Sequence, residues 1–308
     1  MPLQTYNEFP AATQRAAGTI REDLLDFIEN ISPEDTPLYN NLGQVQVNAG
    51  FVEYLEDSLE AAANDAFLEG VGATDPVLTT PARNYSIVQN LQKHFWVSGR
   101  QLAVRHAGMA NMLSYQEMKQ AKVMKLDIEL ALHRGSAVSG NTNVAPQFNG
   151  FLNLGGSCVT AWATAVTLTE KTFNNLMELS YAYNVRIREI YANTVIKRTM
   201  NGFTTNVTRF IATGERKQIN VLDAYEGDFG IQAIFKSRYQ LQTADRLCGS
   251  LLAIDPDYFQ VGWLRPVVTE ELGKDGDRRR MMMVGEMTLI ARSKQAYIAA
   301  IGIVPNVV

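Results

Sequence analysis

The chain has 308 residues, 46% of them apolar and 19% charged, with a formal net charge of −4. That length and apolar share support a sizeable core and exclude disorder as a global state. Two cysteines, Cys158 and Cys248, exclude a disulfide framework and suit buried or free thiols in a reducing compartment.

Met1 to Gln4 carry no basic start with an apolar core behind it, so no secretory signal is expected. No run approaches ~18 apolar residues, so no membrane-spanning helix is expected either. The reading is a soluble protein made in the cytoplasm. Its charge is unevenly spread. Residues 1–92 hold fourteen acidic residues against Arg15, Arg21 and Arg83, a net −11; residues 93–308 hold twenty-five basic and eighteen acidic residues, a net +7. No lysine precedes Lys93. Such halves can pair within one chain or between copies, or form a solvated acidic face.

Residues 21–30 (REDLLDFIEN) predict a short amphipathic helix with Leu24, Leu25 and Ile28 on one side and acids in its first turn. Pro33 and Pro37 then interrupt helical continuity. The first 50 residues therefore read as an arm with one short helix. Residues 51–59 and 84–104 read as strands, joined by about 25 residues rich in Ala, Gly and Thr. That makes an extended hairpin with a long connection, and the first ninety-odd residues are expected to pack on sister molecules and not on a core of their own.

The strongest helix is expected from about 110 to 134, with Met118, Ala121, Met124, Ile128 and Leu132 at three- and four-residue spacing and Gly135 as its stop. It would be roughly 37 Å long. A second helix begins near Thr169, with Phe173, Leu176, Met177 and Tyr183 as its apolar face. Beyond it the chain turns to strands: 189–196, a helical turn at 197–203, then 219–225, 229–235, 249–254, 258–268, 281–291 and 296–303, with a turn at Lys274–Asp277.

The stretch DAYEGDFG, 223–230, places Asp223, Glu226 and Asp228 within six positions. Three carboxylates could hold a metal, and a metal-dependent hydrolase is the rival functional class. The kinase partners of an Asp-Phe-Gly triplet are missing, and the spacing fails an EF-hand loop. Gly227 and Gly230 fit a tight hairpin turn instead. His94, His106 and His133 show no zinc-type spacing with each other or with the cysteines and read as packing or surface residues. No phosphate-binding loop or nucleophile elbow is present, so neither a cofactor nor catalysis is expected. Arg278, Arg279 and Arg280 form the densest basic run. They are candidates to meet the acidic arm and loop of a neighbour, while the sequence pI near 5.5 argues against a dedicated nucleic-acid binder.

The order of these parts, with ISPEDTPL (31–38) and Leu42-Gly43, Thr208-Arg209-Phe210, YEGDFG (225–230), IDPDY (254–258) and Glu286 to Leu289 leading on to Ala299, resembles the major capsid proteins of tailed phages. The resemblance spans almost the whole chain. It implies an α+β Hong Kong 97-like fold. It also implies an N-terminal arm (1–50), an extended loop (51–95), a peripheral domain (96–164) with the spine helix, an axial domain (165–250) and peripheral strands (251–308). It implies a structural protein, made in the host cytoplasm and found in the virion, that forms hexamers and pentamers of itself in an icosahedral shell around double-stranded DNA. Portal, scaffold and decoration proteins are implied partners; DNA would be touched non-specifically at most, and no membrane is involved. Glu53, Glu56 and Asp57 of the loop and Arg278 to Arg280 are the candidate inter-subunit contacts. Some shells of this fold gain covalent Lys–Asn links through a loop lysine. With no lysine before Lys93, assembly here is expected to be non-covalent. No scaffolding segment is expected ahead of the arm.

Overall fold

The computed structural model describes residues 35–57, 59, 64, 66, 69–70, 72, 80–106, 111–155, 159–182, 185–203, 224–227, 229–240 and 249–304. The expected helix at 21–30 and the first five residues, 219–223, of the strand expected at 219–225 lie outside them.

A short helix α1 (Pro37–Asn41) opens the described chain. Pro37 starts this helix although it was expected to break one: at the first helical position the missing N–H is no loss and the fixed φ suits the turn. Leu38 is fully buried, and Leu42 and Val47 are nearly so. The root of the arm therefore belongs to the chain's own core, which corrects the expectation that the first ninety residues pack only on sister molecules. Strand β1 (Gly43–Gln46) then runs parallel to β10 (Phe259–Glu271). Gly262 lets this edge close up, since a Cβ there would stand 2.9 Å from Val47 Cγ1.

Strands β2 (Phe51–Glu56) and β3 (Ala82–Ile87) pair antiparallel as a two-stranded ribbon. The run expected as one strand over 84–104 is divided: β3 gives way at Val88 to β4 (Gln89–Ser98), and helix α2 (Gly99–Ala103) follows, capped by Ser98. β4 pairs with β11 (Arg278–Ala291), and β11 with β10, giving a four-stranded sheet in the order β1-β10-β11-β4. Pro266 sits at a bulged stretch of β10 beyond the reach of β1, where no ladder needs its missing N–H.

Helix α3 (Met112–Arg134) begins at Asn111, whose side chain accepts from the Leu113 N–H, and ends at Gly135. Its second half buries Met124, Ile128 and Leu132 under α1, the four-stranded sheet and a 3-10 turn at Phe151–Asn153. Met118 is 61% exposed and Ala121 is also exposed, so the apolar stripe read from the sequence is covered only in its C-terminal half.

The remaining elements are β5 (Val159–Thr167), α4 (Glu170–Ala182), β6 (Glu189–Ala192), α5 (Thr194–Asn201), β7 (Ala224–Gly227), β8 (Gly230–Lys236), β9 (Gly249–Ile254) and β12 (Tyr297–Val304). β6 is shorter than the strand expected to 196, because Asn193 caps α5 by accepting from the Ile196 N–H at 2.8 Å. The strands form a six-stranded sheet in the order β5-β12-β9-β6-β8-β7. Both faces of its central strands β12, β9 and β6 are buried. Tyr191, Leu252, Ile254, Tyr297 and Ala299 face one core, shared with α3 and the four-stranded sheet. Ile190, Ala192, Leu251, Ala253, Ile298 and Ala300 face the other, with Phe173, Leu176 and Met177 of α4 and Ile196 and Met200 of α5. Alternate side chains pointing to opposite faces explain why these strands read as unbroken apolar runs.

Candidate assembly surfaces

The β2–β3 ribbon has two unlike faces. Its inner face is tied to the body. Ser86 Oγ lies 2.7 Å from Thr288 Oγ1, which donates to the Ile87 carbonyl, and this pair is buried. Glu56 accepts from Asn84 Nδ2 at 2.8 Å across the ribbon, and from Ser293 Oγ and the Lys294 N–H at the turn before β12. Burial, with the nearby Glu56 charge second, pushes the Tyr54 phenol up to about 12. The outer face carries Phe51, Leu55 and Tyr85, exposed by 54%, 68% and 64%. Glu53 sits among them and pairs with Arg83 at 3.5 Å. A ribbon this open to water leaves apolar area that no described residue covers. Asp57 follows β2 and lines a cleft of about 700 Å³ with Leu55, Glu56, Asp255, Asp257 and Arg292.

The arginine run lies elsewhere, at the start of β11. There the hairpin between β10 and β11 sets carboxylates from its own turn and strand against the arginines. Arg279 forms two hydrogen bonds to Glu271, at 2.9 and 2.8 Å. Arg278 pairs with Asp275 and lies 5.8 Å over the Trp96 ring, and Arg280 reaches Asp275 at 3.1 Å. Arg279 holds the Glu271 carboxyl below its ordinary range, and Arg278 does the same for Asp275. The run is thus much less basic in space than in sequence. Glu53 and Glu56 have partners near the ribbon, and the three arginines have partners in their own hairpin.

The described residues of 223–230 form a hairpin as read: β7 pairs with β8, Gly227 faces Gly230, and Gly230 has φ +109°. Asp223 and Asp228 lie outside the described residues. Glu226 stands in β7 opposite Ile231. Among the described residues, no three His, Cys, Asp or Glu side chains come together in a way that could hold a metal.

The sequence reading missed a buried polar cluster. Glu129 and His133 of α3 are both fully buried and 3.3 Å apart. Glu129 accepts from the backbone N–H groups of Leu38 and Tyr39 at 3.0 and 2.8 Å. His133 contacts Ser237 and Gln240, which follow β8. The only hint in the sequence is the four-residue spacing of a glutamate and a histidine on the helix's apolar side.

A long helix under a four-stranded sheet, a second sheet buried on both faces and a projecting two-stranded ribbon together make the α+β Hong Kong 97-like capsid fold. The capsid of a native GTA particle matches at TM-score 0.68 and 12% identity, over 95% of this chain and 98% of that one. Microbacterium phage Oxtober96 matches at 0.62 and 13%, over 96% and 99%. The holo-SrpI encapsulin of Synechococcus elongatus matches at 0.59 and 10%, over 96% and 97%. The chain belongs to the SU10 major capsid protein family, whose profile matches residues 4–304. It is also 29% identical over 113 residues to the major capsid protein of Escherichia phage Phieco32. That match covers 36% of this chain and spans about a third, 32%, of the relative's length. Family and fold point to a structural role, and they leave the metal-dependent hydrolase reading without support.

Proposed function

We propose that the protein is the shell-forming subunit of a phage head, assembling through hexamers and pentamers of itself into an icosahedral particle around double-stranded DNA. The observation that carries this reading is the family match across residues 4–304. The exposed apolar face of the β2–β3 ribbon supports it. Its role is geometric, not catalytic: many copies each bury a ribbon face and an arm on a neighbour, so weak contacts are multiplied around closed symmetry. Its place is the virion after synthesis in the host cytoplasm. Portal, scaffold and decoration proteins would be partners, and DNA contact would be non-specific.

In this reading residues 1–50 are the arm, 51–95 the extended loop and 96–164, with α3 as spine, the first part of the peripheral domain. Residues 165–250 are the axial domain and 251–308 the returning peripheral strands. The sheet order β5-β12-β9-β6-β8-β7 adds that β5 and β12 would move with the axial strands. Glu53 and Asp57 are offered to a neighbour's basic surface, while Glu56, first read with them, holds the ribbon to its own subunit. Arg278 to Arg280 would act there by exchanging their own carboxylate partners, Glu271 and Asp275, for those of another copy. Assembly is non-covalent, since the one lysine within 51–95 is Lys93, in β4, where it pairs with Asp127 of α3.

Size-exclusion chromatography with negative-stain microscopy of the purified chain tests the proposal. Rings of five or six, tubes or shells are expected. A 34.2 kDa species that stays monomeric at every concentration overturns it. Covalent ladders on denaturing gels of mature particles would overturn the non-covalent part alone.

A further inference from the structure

Helix α1 is capped from another element. Thr36 stands at its N-cap position, but the hydroxyl makes no capping bond. The Leu38 and Tyr39 N–H groups donate to the two oxygens of Glu129, 91 and 90 residues further along. Glu129 therefore does for the arm root what a local cap normally does. Because Leu38 and Glu129 are buried, losing the carboxylate would leave the Leu38 N–H orphaned out of reach of water.

The contacts continue past Glu129. Ser250 Oγ donates to Gln240 Oε1 at 2.6 Å, and the amide NH2 of Gln240 stands 3.2 Å from His133 Nδ1. Nε2 points at Ser237 Oγ, 2.8 Å away, and at Glu129 Oε1, 3.3 Å away. Ser250, Gln240, His133 and Glu129 are all buried. An exposed pair, Arg238 to Asp35 at 3.7 Å, bridges the same two segments from outside.

We propose that Glu129 is the positioning residue of the arm root, and that this buried chain couples the seat of α1 to the segment 237–240 after β8. The seat of α1 then depends on how that segment packs against β9, through Ser250. Its consequence for assembly rests on the shell-forming role proposed above; the coupling is a property of the single chain.

Amide hydrogen exchange on the full chain tests it, with Glu129→Gln, Gln240→Leu and Ser250→Ala. Glu129→Gln keeps the volume but replaces one acceptor by a donor, so exchange at Leu38 and Tyr39 should rise about tenfold or more. The amides of Ile298 to Ala300, in the sheet core, should not change. Gln240→Leu and Ser250→Ala act one and two bonds beyond His133 and should raise the same two amides selectively. A rise of equal size at α1 and β12 in any variant would reduce the cluster to a general stabiliser and overturn the proposal. Unchanged Leu38 and Tyr39 exchange in Gln240→Leu and Ser250→Ala would overturn the coupling. Particle formation does not enter this readout, so a chain that fails to form shells leaves it intact.

Discussion

The Glu56 carboxylate accepts from the Lys294 backbone N–H at 3.2 Å, across 238 positions of sequence. One side chain thus fixes the far end of the ribbon, where the 57–81 connection begins, to the turn before β12, and the same carboxylate holds Asn84 on the opposite ribbon strand. A loop meant to reach a neighbour needs a stiff root, because ordering a loose one on contact would cost conformational entropy.

Charge reversal should therefore separate Glu56 from Glu53. Glu53→Lys disturbs only an exposed pair with Arg83, worth about 0.2–1 kcal/mol, so the denaturant midpoint of the chain should barely move. Glu56→Lys removes an acceptor used by three donors and should cost about 1 kcal/mol or more. It should also speed proteolysis within 51–57. Particle yield should fall in both, by loss of neighbour contact in the first and by a displaced ribbon in the second. Full yield from Glu53→Lys would refute the electrostatic role of the loop.

The hairpin tip carries an acid-sensitive element. Glu271 and Asp275 have folded pKa values lowered chiefly by hydrogen bonds from Arg279 and Arg278. A depressed carboxyl contributes stability above its unfolded value, about 4.3 for Glu and 3.9 for Asp. That contribution is lost as pH falls through the lower folded value. Arg279→Gln should return the Glu271 titration towards its ordinary range, read by carboxyl-carbon NMR. An unmoved midpoint would mean that the pair is not held in solution.

At the alkaline end the sign reverses. Tyr54 is raised to about 12, and burial raises Tyr39, Tyr191 and Tyr239 in the same sense. Above pH ~10 the unfolded phenols ionise first, so the folded chain binds more protons and stability falls with rising pH. Tyr54→Phe should lose less stability between pH 9 and 11 than the unaltered chain, measured by urea midpoints at each pH.

Phe151 joins the two sheets through stacked edges: its ring lies 4.9 Å from Phe259 and 6.0 Å from Tyr297, and all three side chains are fully buried. Phe151→Ala should cost about 3–5 kcal/mol in chemical denaturation. A loss below 1 kcal/mol would mean that the core collapses to fill the space.

Gly150 is a steric requirement. A Cβ there would lie 2.5 Å from the Ala131 carbonyl oxygen and 2.6 Å from the Gly135 nitrogen, where the end of α3 is closed by the Gly150 N–H. Gly150→Ala should cost about 1–3 kcal/mol. Gly273→Ala, with nothing within 4 Å of its Cβ, should stay within about 0.5 kcal/mol.

Much of the fold was legible in the residues. The helix at 112–134, the helix from 170 and the strands from 249 onward follow from apolar spacing, a capping Asn, a terminal Gly and β-branched runs, all of them local causes. So does the 223–230 hairpin, which needed only its glycines. The failures have equally specific causes. Pro37 was read as a breaker because its effect depends on whether it starts a helix or interrupts one. Met118 and Ala121 were placed in a core because periodicity marks a face without saying what lies against it.

The sequence by itself determined the family pattern, the element types and the uneven charge of its two parts, because these depend on neighbours along the chain. Only the tertiary structure decided which carboxylate of the hairpin holds each arginine of the run, that Glu56 anchors the ribbon and that Glu129 caps α1. The last two join side chains to partners far along the chain, brought close by sheet registers and helix packing. Burial then gives such contacts their strength, and neither distance nor burial is written in local sequence.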